Sequence, residues 1–96
     1  MNRRRYLVSY DVADPKRLRR VARVAEEYGY RLQYSVFECL LDSLRYEQIK
    51  AEMKEAIVHT EDQVLFISLH SKDADGTLAI EAVGLPYAQH SRVTII

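Results

Sequence analysis

Tyr6-Leu7-Val8-Ser9-Tyr10-Asp11-Val12-Ala13-Asp14-Pro15-Lys16-Arg17-Leu18-Arg19-Arg20-Val21 decides the fold. The first part alternates. Tyr6, Val8 and Tyr10 fall on one side and Leu7, Ser9 and Asp11 on the other, the period of a strand. The period then changes. Asp14 carries the short acceptor side chain that caps a helix, and Pro15 suits the first helical position, where a missing N–H costs nothing. Leu18, Val21, Ala22, Ala25 and Tyr28 recur at helical spacing and predict a buried stripe. Gly29 is expected to stop this helix as a left-handed cap. A hydrophobic strand thus brings Asp11 to the end of a sheet. Directly behind it starts a helix whose first turns carry Lys16, Arg17, Arg19 and Arg20. A carboxylate can hold a divalent cation, and guanidinium groups bind phosphate bidentately, so the pairing points to a polyanionic partner.

Outward from this segment, residues 31–40 (Arg31-Leu32-Gln33-Tyr34-Ser35-Val36-Phe37-Glu38-Cys39-Leu40) are rich in strand formers and read as one strand. Asp42 or Ser43 caps a second helix, with Tyr46, Ile49, Met53, Ala56 and Ile57 on its apolar side. Gln63 to His70 form a third strand, apolar on both faces and so expected to be covered on both. Ser71 to Gly76 read as a loop. Thr77 to Val83 read as a fourth strand, broken by Gly84-Leu85-Pro86, with helix as the rival because of the alanines. Arg92 to Ile96 form a short β-branched tail.

The literal order is strand-helix-strand-helix-strand-strand and a tail strand. With the strands in one antiparallel sheet and both helices on one face, the fold class is α+β, a ferredoxin-like sandwich with a four-stranded sheet plus a short C-terminal strand. All 96 residues are expected in a single domain. That layout leaves one sheet face bare although the strands are apolar on both. A homodimer is the simplest cover, with residues 83–96 contacting the partner.

Composition narrows the classes. Hydrophobic content of 48% and charged content of 29% are those of a globular protein. No apolar run approaches the roughly 20 residues that cross a bilayer, so no membrane role is expected. The basic start, Met1-Asn2-Arg3-Arg4-Arg5, lacks an apolar core behind it, so no signal peptide is expected. A single cysteine, Cys39, excludes an internal disulfide and suits a reducing cytoplasmic location. The zero net charge hides an asymmetry: residues 1–31 hold nine Lys or Arg against four acids, and eight of the nine are arginine. His59, His70 and His90 are scattered, no zinc spacing occurs, and no glycine-rich phosphate loop exists.

Tyr10-Asp11-Val12, joined to Arg17-Leu18-Arg19-Arg20-Val21 and then to Tyr28-Gly29-Tyr30-Arg31-Leu32-Gln33-Tyr34-Ser35-Val36-Phe37-Glu38, resembles a known family. This is the small CRISPR-associated nuclease of the spacer-acquisition machinery, the second Cas protein. The resemblance continues through Asp62 to Leu69 and spans about three quarters of the chain; the section after Gly76 is less typical. It implies a ferredoxin-like homodimer paired through its sheets, often with the last strand crossing to the partner. It further implies metal-dependent cleavage of single-stranded RNA or double-stranded DNA. A place between two dimers of the CRISPR integrase, the first Cas protein, is implied as well. Asp11 matches the family's metal-associated aspartate, which makes it the catalytic and Mg²⁺-binding candidate. Tyr10, Arg17, Arg19, Arg31, Ser35 and Phe37 match positions near that site.

The residues themselves support the same division of labour. Mg²⁺ favours oxygen ligands and keeps several waters, so one carboxylate suffices for a loose site, and two copies of Asp11 across a dimer axis could share an ion. Arg17, Arg19, Arg20 and Arg31 are the candidates for nucleic acid, with Tyr10, Ser35 and Phe37 in support. The competing reading of Asp11 is a strand-end acceptor of backbone hydrogen bonds, and of the arginines a solvated helix face. Phe37 and Tyr34 could stack on bases, with core or dimer packing as the plainer alternative. Two other functions stay open: a non-catalytic DNA-binding adaptor bridging integrase dimers, in which charge does the work, and a small-ligand or regulatory module, since this fold hosts many activities.

Overall fold

The structure, a computed structural model, describes residues 2–70 and 79–88. The elements are β1 (Arg4–Asp11), α1 (Pro15–Tyr28), β2 (Gly29–Gln33), β3 (Val36–Leu41), α2 (Ser43–Ala56), β4 (Gln63–Ser68) and β5 (Ala79–Gly84). They form one antiparallel sheet in the order β2-β3-β1-β4-β5. The first six strands and helices run β-α-β-β-α-β, the ferredoxin-like order. The expected loop at Ser71–Gly76 and the tail strand at Arg92–Ile96 lie outside the described residues, as does most of the 83–96 segment expected to reach a partner.

The strand expected over residues 31–40 is in fact a hairpin. Tyr34 and Ser35 form its turn, Gln33 faces Val36, and the register shifts between Arg31 and Gln33. Two-residue hairpin loops ordinarily need glycine or asparagine at positive φ. None of the described non-glycine residues has positive φ, and the irregularity beside the turn takes up the mismatch in twist. Ser35 is therefore a turn residue rather than a mid-strand one, and the sheet has five described strands rather than four.

Both helices lie on one face. Val8 and Tyr10 of β1, Phe37, Cys39 and Leu41 of β3, and Val64 and Phe66 of β4 meet Val21 and Ala25 of α1 and Ile49, Met53 and Ala56 of α2 in one core. Helix starts follow the expected chemistry. The Asp14 carboxylate accepts from the N–H groups of Lys16 and Arg17 at 3.0 Å each, and Asp42, not Ser43, caps α2 through the Arg45 N–H at 2.8 Å.

Cross-strand pairs place Leu7 opposite Ile67, Ile67 opposite Ile80, and Leu65 opposite Ala82 on the reverse face. None of the described elements covers these half-buried side chains, and Asp11 belongs to the same face by alternation.

Gly29 corrects the expected left-handed cap. Its φ of −169° and ψ of −162° are extended, and α1 passes straight into β2. Glycine is needed for room: a Cβ there would collide with the Glu38 carbonyl and lie 2.6 Å from Cys39 Sγ. Gly29→Ala is expected to cost about 1–3 kcal/mol by forcing β2 off β3, read as a lower midpoint in urea unfolding.

Candidate functional site

β1 delivers Asp11 to the sheet end, opposite Gln63 of β4, with its side chain exposed. The neighbouring Tyr10 points the other way and is buried. Burial raises its phenol pKa, while Arg31 beside the hydroxyl pulls the other way. The Tyr10 hydroxyl donates to the Tyr34 carbonyl at 3.4 Å, and its backbone N–H donates to the Ser35 carbonyl at 3.1 Å. The hairpin turn is thereby fastened to β1 one residue before Asp11.

Sequence reasoning nominated Tyr10, Asp11, Arg31, Ser35 and Phe37, and the fold gathers them at this one end of the sheet. Phe37 is fully buried, which removes it as a stacking surface for bases. Its ring instead carries the Arg31 guanidinium 5.1 Å from its centroid, and Arg31 also lies 3.6 Å from Glu26. Tyr34, 75% exposed at the turn, is the aromatic ring open to solvent here.

The cations of α1 divide into two groups. Arg17 is engaged: its Nε donates to Asp62 Oδ2 at 2.8 Å, and its Nη2 lies 3.2 Å from Glu61 Oε1 and 3.3 Å from Asp62 Oδ1. A guanidinium already spent on two carboxylates is a helix anchor before it is a phosphate contact. Arg19 and Arg20 are exposed and make no ion pair among the described residues. Lys16 and Arg23 are likewise exposed and outside the ion pairs of the described residues, so these four cations are presented to a polyanion.

The residue that sequence reasoning missed is Asp62. It is the buried charge of the described residues, with no exposed surface. Besides Arg17 it accepts the Ala13 N–H at 2.9 Å and the Val58 N–H at 2.8 Å. Four donors satisfy the carboxylate and repay its desolvation. Burial pushes its pKa up, but the Arg17, Val58 and Ala13 donors together outweigh that and hold it down at about 2. Its partners lie up to 49 residues away in sequence, so no local pattern could have found it.

Among the described residues no three His, Cys, Asp or Glu side chains gather as a metal-binding group. Asp11 is the exposed carboxylate that the end of β1 offers a hard cation. That donor suits Mg²⁺, which takes oxygen ligands and retains waters, as one ligand and not as a whole site. Cys39 is buried, and burial raises its thiol to about 11, so it is no nucleophile at neutral pH. No helix among the described residues is long and apolar enough to cross a membrane.

A β-α-β-β-α-β sheet with two helices on one face, an acid at the end of β1 and an arginine-rich α1 define a ferredoxin-like domain with an acidic strand end. The family model described as CRISPR associated protein Cas2 matches residues 4–76, and the chain belongs to that family. The protein named CRISPR-associated endoribonuclease Cas2 1 of Rhodospirillum rubrum is 36% identical over 91 residues, covering 95% of this chain and 88% of its own. The Geobacter sulfurreducens CRISPR-associated endoribonuclease Cas2 is 41% identical over 64 residues, 67% of each chain. The crystal structure of Streptococcus pyogenes Cas2 at pH 6.5 superposes with a TM-score of 0.61 at 39% identity, covering 65% of this chain and 81% of that one.

Because the folded Asp62 pKa is held below its unfolded value, the unfolded state binds the extra proton, and the contribution is complete above about pH 4. It is lost as pH falls toward about 2. The wild type is expected to lose about 2 kcal/mol across that window from this group. Asp62→Ala, which leaves Arg17 with Glu61 alone and strips two part-buried N–H groups of their acceptor, is expected to cost about 3 kcal/mol at neutral pH and to lack that part of the acid slope in denaturant titrations.

Proposed function

We propose that this chain works as a homodimeric, Mg²⁺-dependent nuclease of CRISPR spacer acquisition. It hydrolyses phosphodiester bonds of single-stranded RNA or double-stranded DNA, and it also holds DNA in the integration complex beside the first Cas protein. The observation that carries the reading is the position of Asp11. It stands exposed on the uncovered sheet face, at the end where α1 begins. A relative named as an endoribonuclease that matches nearly the whole chain supports the activity.

Apposing two uncovered faces would bury Leu7, Leu65, Ile67 and Ile80 and bring Asp11 toward the partner's Asp11, adding a second carboxylate ligand. Bound there, Mg²⁺ would neutralise phosphoryl oxygens and acidify the attacking water. The chain does the rest. Arg19 and Arg20 hold flanking phosphates through charge-assisted hydrogen bonds, and Arg17 keeps the first turn of α1 in place. Tyr34 offers a ring on which a base can stack. A cytoplasmic location follows from such substrates.

The second reading, a non-catalytic adaptor that bridges integrase dimers, is favoured by one feature: the end of β1 supplies a single carboxylate while the exposed arginines need no metal. Cleavage and integration assayed side by side separate the two. Asp11→Ala is expected to abolish Mg²⁺-dependent cleavage, whereas unchanged cleavage would leave the adaptor. Replacing Arg19 and Arg20 by Ala should weaken DNA binding and lower its logarithmic salt slope by about 1 per arginine. Ile67→Glu, in the middle of the uncovered face, is expected to shift the protein to monomers in sedimentation, together with loss of cleavage.

A further inference from the structure

Asp62 is adjacent to Gln63, whose cross-strand partner is Asp11. Its carboxylate reaches the other way, to the Ala13 N–H two residues beyond Asp11 and to Arg17 in the first turn of α1. The same side chain therefore grips the chain two residues after Asp11, and its backbone neighbour stands opposite Asp11 in the sheet. The Val58 N–H at 2.8 Å ties this clamp to the segment leaving α2. The carboxylate has no solvent-exposed surface, so solvent does not screen these bonds at the acceptor.

We propose that Asp62 is the positioning residue for Asp11: through Ala13 and Arg17 it fixes the strand end on which the metal-binding carboxylate stands and the start of the helix that presents Arg19 and Arg20. It touches neither metal nor nucleic acid. It plays the part that hydrogen-bonded groups behind a metal ligand play elsewhere, where their removal costs about 10–100-fold in metal affinity or activity. This inference rests on the nuclease reading of Asp11.

The test compares Asp62→Asn with Met53→Ala. Met53 is fully buried on the inner side of α2 and takes no part in the clamp, so its truncation lowers stability without touching the strand end. Both are assayed well below their unfolding temperatures. Asn keeps one acceptor oxygen but puts an NH2 group where Oδ2 accepts from Arg17 Nε and the Val58 N–H, so that half of the clamp is cut. The expected result is a loss of about tenfold or more in Mg²⁺-dependent cleavage for Asp62→Asn, with Met53→Ala near wild type. Equal activity in the two variants overturns the proposal.

A chemically synthesised chain with an ester in place of the Ala13 amide removes only the donor to Asp62. It keeps the Arg17 pair and guards against a misfolded Asp62→Asn. Reduced cleavage with little change in melting temperature is expected, and wild-type cleavage overturns the proposal. Hydrogen exchange at the Ala13 amide reads the clamp without catalysis. It should be slow in the wild type and Met53→Ala and fast in Asp62→Ala, which removes every side-chain acceptor for the Ala13 N–H; equal rates overturn the clamp. If the wild type shows no Mg²⁺-dependent cleavage, the nuclease reading falls instead, and the exchange rates still decide whether Asp62 holds this strand end.

Discussion

The buried carboxylate of Asp62 and the guanidinium of Arg17 form the contact on which this end of the molecule depends. The pair joins the start of α1 to the residue before β4, two side chains 45 positions apart in sequence. Two backbone N–H groups complete the carboxylate's acceptor set, so the ion survives without water. Burying a charge is costly unless it is paired and hydrogen-bonded, and here it is both. The arrangement is satisfied throughout: among the described residues no buried side-chain polar atom lacks a partner.

That contact also sorts the arginines. A sequence with five basic residues between Lys16 and Arg23 reads as a uniform phosphate-seeking face. In the fold Arg17 faces inward toward acids, Arg31 lies over Phe37 against Glu26, and Arg19 and Arg20 stay outside. The charge that a polyanion meets is thus smaller and better placed than the composition suggests. A second polar knot does similar work at the far side of the sheet. Lys50 lies 4.6 Å over the Tyr46 ring and 3.1 Å from Glu81, holding β5 to α2. The Tyr46 hydroxyl donates to the same carboxylate, and this bond and Lys50 keep Glu81 more acidic than an ordinary glutamate.

How much of this was legible in the sequence follows from how local each cause is. β1 and α1 were readable because alternation, Asp14 and Pro15 act within a few residues. The ferredoxin-like class and the place of Asp11 came with them. The β2–β3 hairpin was hidden because its turn uses Tyr34 and Ser35, residues equally at home in a strand, and spends an irregularity in register instead of a glycine. Gly29 was legible as the helix end but for the wrong reason, since the need for space comes from Glu38 and Cys39 on another strand. Asp62 lay within the stretch of resemblance, but nothing in its local sequence marked it as a site residue. An aspartate before a strand is ordinary, and only the folded chain brings Ala13, Arg17 and Val58 to it.

Asp62 has a second attachment through its main chain. Its carbonyl oxygen accepts the Leu85 N–H at 2.8 Å, just past Gly84, whose φ of +92° turns the chain as it leaves β5. The exit path of the polypeptide and the posture of the acidic strand tip consequently share Asp62 as an anchor, while the neighbouring Gln63 amide donates to the Leu85 and Pro86 carbonyls. Any tug on the segment leaving the sheet is transmitted to the tip through two bonds, so whatever engages that outgoing segment acquires mechanical leverage over the acid.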